Sequence, residues 1–168
     1  IDRDRFTMLF YPRDRAFAEA MLVAATTRDT FPWLPRDTAR VVIMIAPDNA
    51  TFRNWAGPSA RDATAAVAFV ERRRVVMRGP RAPPFVGDPT QTLRHELAHV
   101  ALSAYLGARA PRWFDEGYAS LAAGEERNEG FLAVNATLLF RRMPGLAGLD
   151  TLLTSPRTAN TRAGYTLS

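Results

Sequence analysis

Asp88-Pro89-Thr90-Gln91-Thr92-Leu93-Arg94-His95-Glu96-Leu97-Ala98-His99-Val100-Ala101-Leu102-Ser103-Ala104-Tyr105-Leu106-Gly107 is the stretch on which the fold turns. An aspartate followed by proline is a strong helix start. The carboxylate caps unpaired N–H groups, and proline fits the first turn without losing a hydrogen bond. Gly107 supplies the stop. Between these ends Leu93, Leu97, Val100 and Ala104 recur at helical spacing, and they predict an apolar stripe that seats the helix in a core. His95 and His99 are four residues apart, so they leave one face with Cβ atoms about 5–6 Å apart. Two imidazoles placed in this way can converge on one Zn²⁺ at about 2.0–2.1 Å each. Glu96 lies about 100° further round the helix, where it can take a proton from a metal-activated water without being a ligand.

The chain holds only two histidines, both in this motif, and no cysteine. A catalytic zinc needs a third protein ligand and one open position, so the third ligand here must be a carboxylate. Trp113-Phe114-Asp115-Glu116-Gly117-Tyr118-Ala119 offers two, after a Gly107–Pro111 turn that folds this segment back against the first helix. Glu116 has the longer reach and is the candidate ligand. Asp115 is better suited to capping its helix or to holding a ligand histidine from behind. The plainer alternative is an acidic pair near a helix N-terminus, where the dipole favours negative charge.

His-Glu-Leu-Ala-His followed by Trp-Phe-Asp-Glu-Gly-Tyr-Ala resembles the gluzincin clan of zinc metallopeptidases, in particular its peptidase MA-like domains. Those families pair a HExxH helix with a downstream Trp-x-x-Glu-Gly-x-Ala segment, and the match runs from Arg94 to Ser120. The resemblance implies a single zincin-like α+β domain with a small mixed sheet and an active-site helix, followed by a mainly helical C-terminal part. It implies one Zn²⁺ per chain on His95, His99 and Glu116, with Glu96 as general base and a peptide or protein as substrate. It further implies that an edge strand, either Thr64–Val70 or Arg74–Met77, binds extended substrate by β-addition, and that the protein is exported from a bacterial cell. Thermolysin-like members carry a later histidine that this chain lacks. Other gluzincins use a tyrosine in a following helix to stabilise the oxyanion, and Tyr165 falls where such a tyrosine would stand. Its plain alternative is a packing aromatic.

Upstream, Phe6–Tyr11 alternates as a short strand and Asp14–Thr27 is an amphipathic helix through Phe17, Met21 and Leu22. The Arg40–Ala46 run is a buried strand, Asn49–Trp55 a short helix, and Thr64–Val70 pairs with Arg74–Met77 around an arginine turn. Phe31, Trp33, Phe52 and Trp55 read as core, and Tyr105 and Tyr118 as core or rim. Downstream, Phe114–Ala123 and Phe131–Arg142 read as helices, and Ser155–Arg162 as a turn-rich stretch. The strand-rich part is 1–87 and the helical part 88–168. The chain begins at Ile1 and stops at Ser168 inside what reads as a starting helix, so it is expected to be a fragment of a longer protein.

Composition excludes several function classes. Hydrophobic content of 47% with 23% charged residues is ordinary for a globular domain. The lack of cysteine rules out disulfides, thiolate metal sites and a cysteine nucleophile. All 22 basic residues are arginines, which give the net charge of +5, and a nucleic-acid surface would need such charge clustered on one face. The densest run, Arg72-Arg73-Arg74, reads as a hairpin turn, so nucleic acid is not an expected partner. No apolar run approaches the roughly 20 residues that span a bilayer. The expected function is a zinc metallopeptidase. The alternatives are a zinc-binding, catalytically weak binding module and a metallohydrolase acting on a non-peptide bond.

Overall fold

Val41–Ala46 is a six-residue run of apolar and mainly β-branched residues, suited to a strand covered on both faces, and it forms the middle of a sheet. A computed structural model describes residues 1–57, 64–82, 87–107 and 110–125. Its strands are β1 (Asp2–Arg3), β2 (Phe6–Leu9), β3 (Val41–Ala46), β4 (Ala66–Phe69) and β5 (Arg74–Arg78). Its helices are α1 (Arg15–Thr27), α2 (Asn49–Ala56), α3 (Pro89–Leu106) and α4 (Arg112–Ala123). The sheet order is β1-β2-β3-β5-β4. β2, β3 and β5 run parallel, while β1 and β4 are antiparallel to their neighbours. The chain is α+β with a mixed sheet.

Alternation along the strands sorts the core into two layers. Phe6, Met8, Val41, Ile43, Ile45, Val75 and Met77 face α1 and α3, and α4 continues this layer by packing on α3. Ala46 and Val76 face the other way, onto Phe52 and Ala56 of α2. The arginine turn is a short 3₁₀ segment, Val70–Arg72, closed by Arg73 in the left-handed region, and it turns β4 back against β5. β5 is therefore an inner strand, and of the two strands proposed for the edge only β4 can be one. The bond from Arg78 N–H to Ala65 O makes Ala65, Val67 and Phe69 the residues whose backbone pairs with β5. By the alternation of an antiparallel ladder, Ala66 and Ala68 direct their N–H and C=O groups to the outer side.

Two expectations about packing are corrected. Trp33 is not core: it is 82% exposed, because a left-handed backbone (φ 58°) at the connector turn directs its side chain outward. Ala104 is exposed as well: the cover over its face of α3 ends after Val100, while Leu106, on another face of the last turn, still packs against the core. Phe31 and Phe52 are buried and Trp55 is half-buried. Tyr118 is buried, with its hydroxyl donating to Pro32 O at 2.9 Å, whereas Tyr105 is exposed. Phe131–Arg142, Ser155–Arg162 and Tyr165 lie outside the described residues. Within those residues no helix is long and apolar enough to cross a membrane.

Candidate metal centre

α3 begins as its cap demands, with Asp88 Oδ1 accepting from Thr90 N–H at 2.8 Å and Pro89 in the first turn. Leu93, Leu97, Ala98, Val100, Ala101 and Leu102 bury one side of it. Arg94 then fixes its rotation. Its guanidinium donates to Ala122 O at 2.6 Å, to Thr30 O at 2.8 Å and to Arg28 O, and it lies 4.8 Å from the centre of the Phe31 ring. One side chain thereby ties α3 to α4 and to the connector after α1. α4 buries Tyr118, Ala119, Ala122 and Ala123, small residues apart from the tyrosine, so it can approach α3 closely.

This packing brings Glu116 between the two histidines. Its Oε2 lies 3.6 Å from His95 Nε2 and 3.7 Å from His99 Nε2. The other oxygen, Oε1, is 3.4 Å from Arg112 Nη2, one turn earlier on α4. Each imidazole is held from behind by a carboxylate. His99 Nδ1 is 2.7 Å from Asp115 Oδ1, and His95 Nδ1 is 3.2 Å from Glu125 Oε2. Ionised carboxylates only accept, so both Nδ1 atoms are donors and both Nε2 atoms are turned to Glu116. Glu96 stands beside this group without joining it, and the backbone N–H of Ala68 on β4 is close enough to favour its ionised carboxylate.

The donor set fits a zinc ion. The candidate ligand atoms of His95, His99 and Glu116 all lie within 4.8 Å of one another. Tetrahedral bonds of about 2.0–2.1 Å require ligand atoms about 3.4 Å apart. The two His–Glu separations, 3.6 and 3.7 Å, exceed that by only a few tenths of an ångström, while the widest separation in the group, up to 4.8 Å, has to close further around an ion. Two neutral nitrogens and one carboxylate oxygen, each backed by a partner, leave a fourth position for a water or substrate.

Electrostatics points the same way. Burial alone would lower the His95 pKa, but the hydrogen bonds to Glu116 and Glu125 and the charge of Glu96 outweigh it, and the value is pushed up to about 10. His99 is also raised: burial opposes this, while the bond to Asp115 and the Glu96 charge drive it. Burial pushes the Glu96 carboxyl up, against the pull of both histidines. Glu125 is lowered, because its bond to His95 and the charge there outweigh its burial. A cluster this rich in carboxylates needs positive charge, and without a metal it takes that charge as protons.

His95, Glu96, His99 and Glu116, chosen from spacing and elimination, are thus found together, and Asp115 stands behind His99. Glu125 was not anticipated. The only signal for it in the sequence is its place directly after Gly124, where a glycine stop turns the chain back over the helix it ends. Tyr165 lies outside the described residues. Compared with known protein families, curated proteins and solved structures, the chain matches none.

Proposed function

We propose that this chain is a zinc-dependent metallopeptidase of the gluzincin type, with a zincin-like fold. His95, His99 and Glu116 hold the metal. Bound there, a zinc ion supplies Lewis acidity, which acidifies water and polarises a carbonyl group. Glu96 takes a proton at its carboxylate from the attacking water and passes it to the departing amine. Its raised pKa suits that task, since a base works best when its affinity for protons lies near the working pH. Asp115 and Glu125 keep the imidazoles in the tautomer that frees Nε2. Tyr165 is the proposed donor to the oxyanion.

The single observation that carries the reading is the convergence of both Nε2 atoms on Glu116 Oε2, with Glu96 left free beside them. A peptide substrate is favoured over other hydrolysable bonds by the edge strand. The outward backbone groups of Ala66 and Ala68 can pair with an extended chain, and β4 packs beside α3, the helix that carries Glu96. A peptide laid along β4 would therefore pass next to the base.

The test is Glu96→Gln in the full chain, with zinc content measured by elemental analysis and hydrolysis followed on a broad library of quenched fluorescent peptides. The variant should keep about one zinc per chain and lose about 10²–10⁴-fold in hydrolysis. Full activity in a zinc-loaded variant would sink the mechanism. A wild-type chain that holds zinc and turns over no peptide would instead favour the binding-module alternative.

A further inference from the structure

The two carboxylates behind the histidines are delivered in different ways. Asp115 belongs to the first turn of α4 and is as rigid as that helix. Glu125 lies beyond the helix end and reaches His95 only because the chain reverses at Gly124, whose φ of 74° is left-handed. Gly124 N–H donates to Leu121 O at 3.1 Å and Glu125 N–H to Ser120 O at 3.0 Å. These are the two crossed bonds of a Schellman cap. In that motif the residue after the glycine usually packs an apolar side chain on the last turn of the helix. Here the position holds a carboxylate, on the residue whose backbone N–H is bonded to Ser120 O.

We infer that the C-terminal cap of α4 is a positioning device for the metal site, in which the Gly124 turn aims Glu125 at His95 Nδ1 and so holds Nε2 toward Glu116. This rests on the metal-binding reading above and extends it to residues that touch no ligand atom. A cap that opens withdraws Glu125 and leaves the His95 ring free to rotate about its side-chain bonds. Metal binding, which needs the ring in place, in turn holds the cap closed, because coupling between two equilibria is reciprocal.

A Cβ added at Gly124 meets nothing within 4 Å, so a substitution there acts through the backbone angle alone. Zinc affinity of the full chain, measured by competition with a chromogenic chelator, separates the contributions. Glu125→Ala should weaken binding about 10- to 100-fold, the usual effect of losing such a partner. Glu125→Gln, which keeps an acceptor oxygen, should recover most of that. Gly124→Val should weaken binding severalfold, while Gly124→Asn, which tolerates the left-handed region, should stay near wild type. The double variant Gly124→Val/Glu125→Ala should bind no more weakly than Glu125→Ala alone, since both remove one contact. Losses that multiply, or Glu125→Ala within about twofold of wild type, would overturn the inference.

A measurement on the metal-free protein decides the same point independently. Hydrogen exchange at the Glu125 amide should quicken in His95→Ala and stay unchanged in His99→Ala. Equal protection in the two variants would overturn the proposal. A wild-type chain that takes up no zinc would overturn the metallopeptidase reading, and the exchange experiment would then decide the positioning role by itself.

Discussion

Zinc uptake by this chain should release protons, and their effect can be worked from the site. In the metal-free protein the carboxylates around His95 push its pKa up to about 10. Nε2 must lose its proton before it can offer a lone pair to a metal. At about pH 7.5 the solution lies roughly 2.5 units below that value, so deprotonation costs about 3 kcal/mol. Apparent zinc affinity at that pH therefore sits roughly 300-fold below its plateau at high pH. Between about pH 7 and 9, each unit should tighten binding about tenfold through His95 alone. His99, raised by its bond to Asp115, adds to the slope below its own pKa. Isothermal titration calorimetry in buffers of different ionisation enthalpy counts the protons directly. The expected result is at least about one proton released per zinc at pH 7.5, with affinity rising from pH 7 to 8. Zinc binding with no proton release and no pH dependence would refute the reasoning, because His95 would then be neutral despite its carboxylate neighbours.

Other consequences follow from the same contacts. The folded pKa of His95 is raised above its ordinary 6.5, so its contribution to stability is complete below about pH 6.5 and is lost as pH rises through about 10. Thermal melts of the metal-free protein should fall by roughly 5 °C or more between about pH 7 and 9.5, and saturating zinc should remove that dependence. Ala68→Pro deletes an N–H that points away from β5, at an edge where proline is tolerated, so zinc content should hold while KM for peptides rises about tenfold or more and kcat also falls, since that N–H lies beside Glu96. An unchanged KM would remove β4 from the substrate site. Arg94→Met strips three carbonyl groups of their charged donor and should destabilise the fold by about 3 kcal/mol in urea titration.

Much of the candidate site was legible because its first half is local. An i,i+4 pair of histidines meets on one face of any helix, and Asp88-Pro89 and Gly107 bound that helix without help from the rest of the chain. Glu96 follows from the same geometry. Glu116 was reached by elimination, since the composition leaves no other kind of third ligand. The α+β class was legible too, as periodicity marked strands first and helices afterwards. Trp33 was misread because an aromatic residue in a rigid connector looks like core, and only the left-handed turn sends it outward. Ala104 fits the stripe by spacing, but spacing does not say where the covering elements end.

The sequence by itself therefore determined the helix, the two histidines on it and Glu96 beside them, all of which depend on contacts no more than a turn apart. The tertiary structure decided the rest. It placed β4 rather than β5 at the sheet edge, gave Glu116 to the histidines and Asp115 to His99, and carried Glu125 round a left-handed glycine to His95, 30 residues away. Those assignments depend on the rotation and closeness of α4 against α3. Both are set by packing of the whole core rather than by any local pattern of residues.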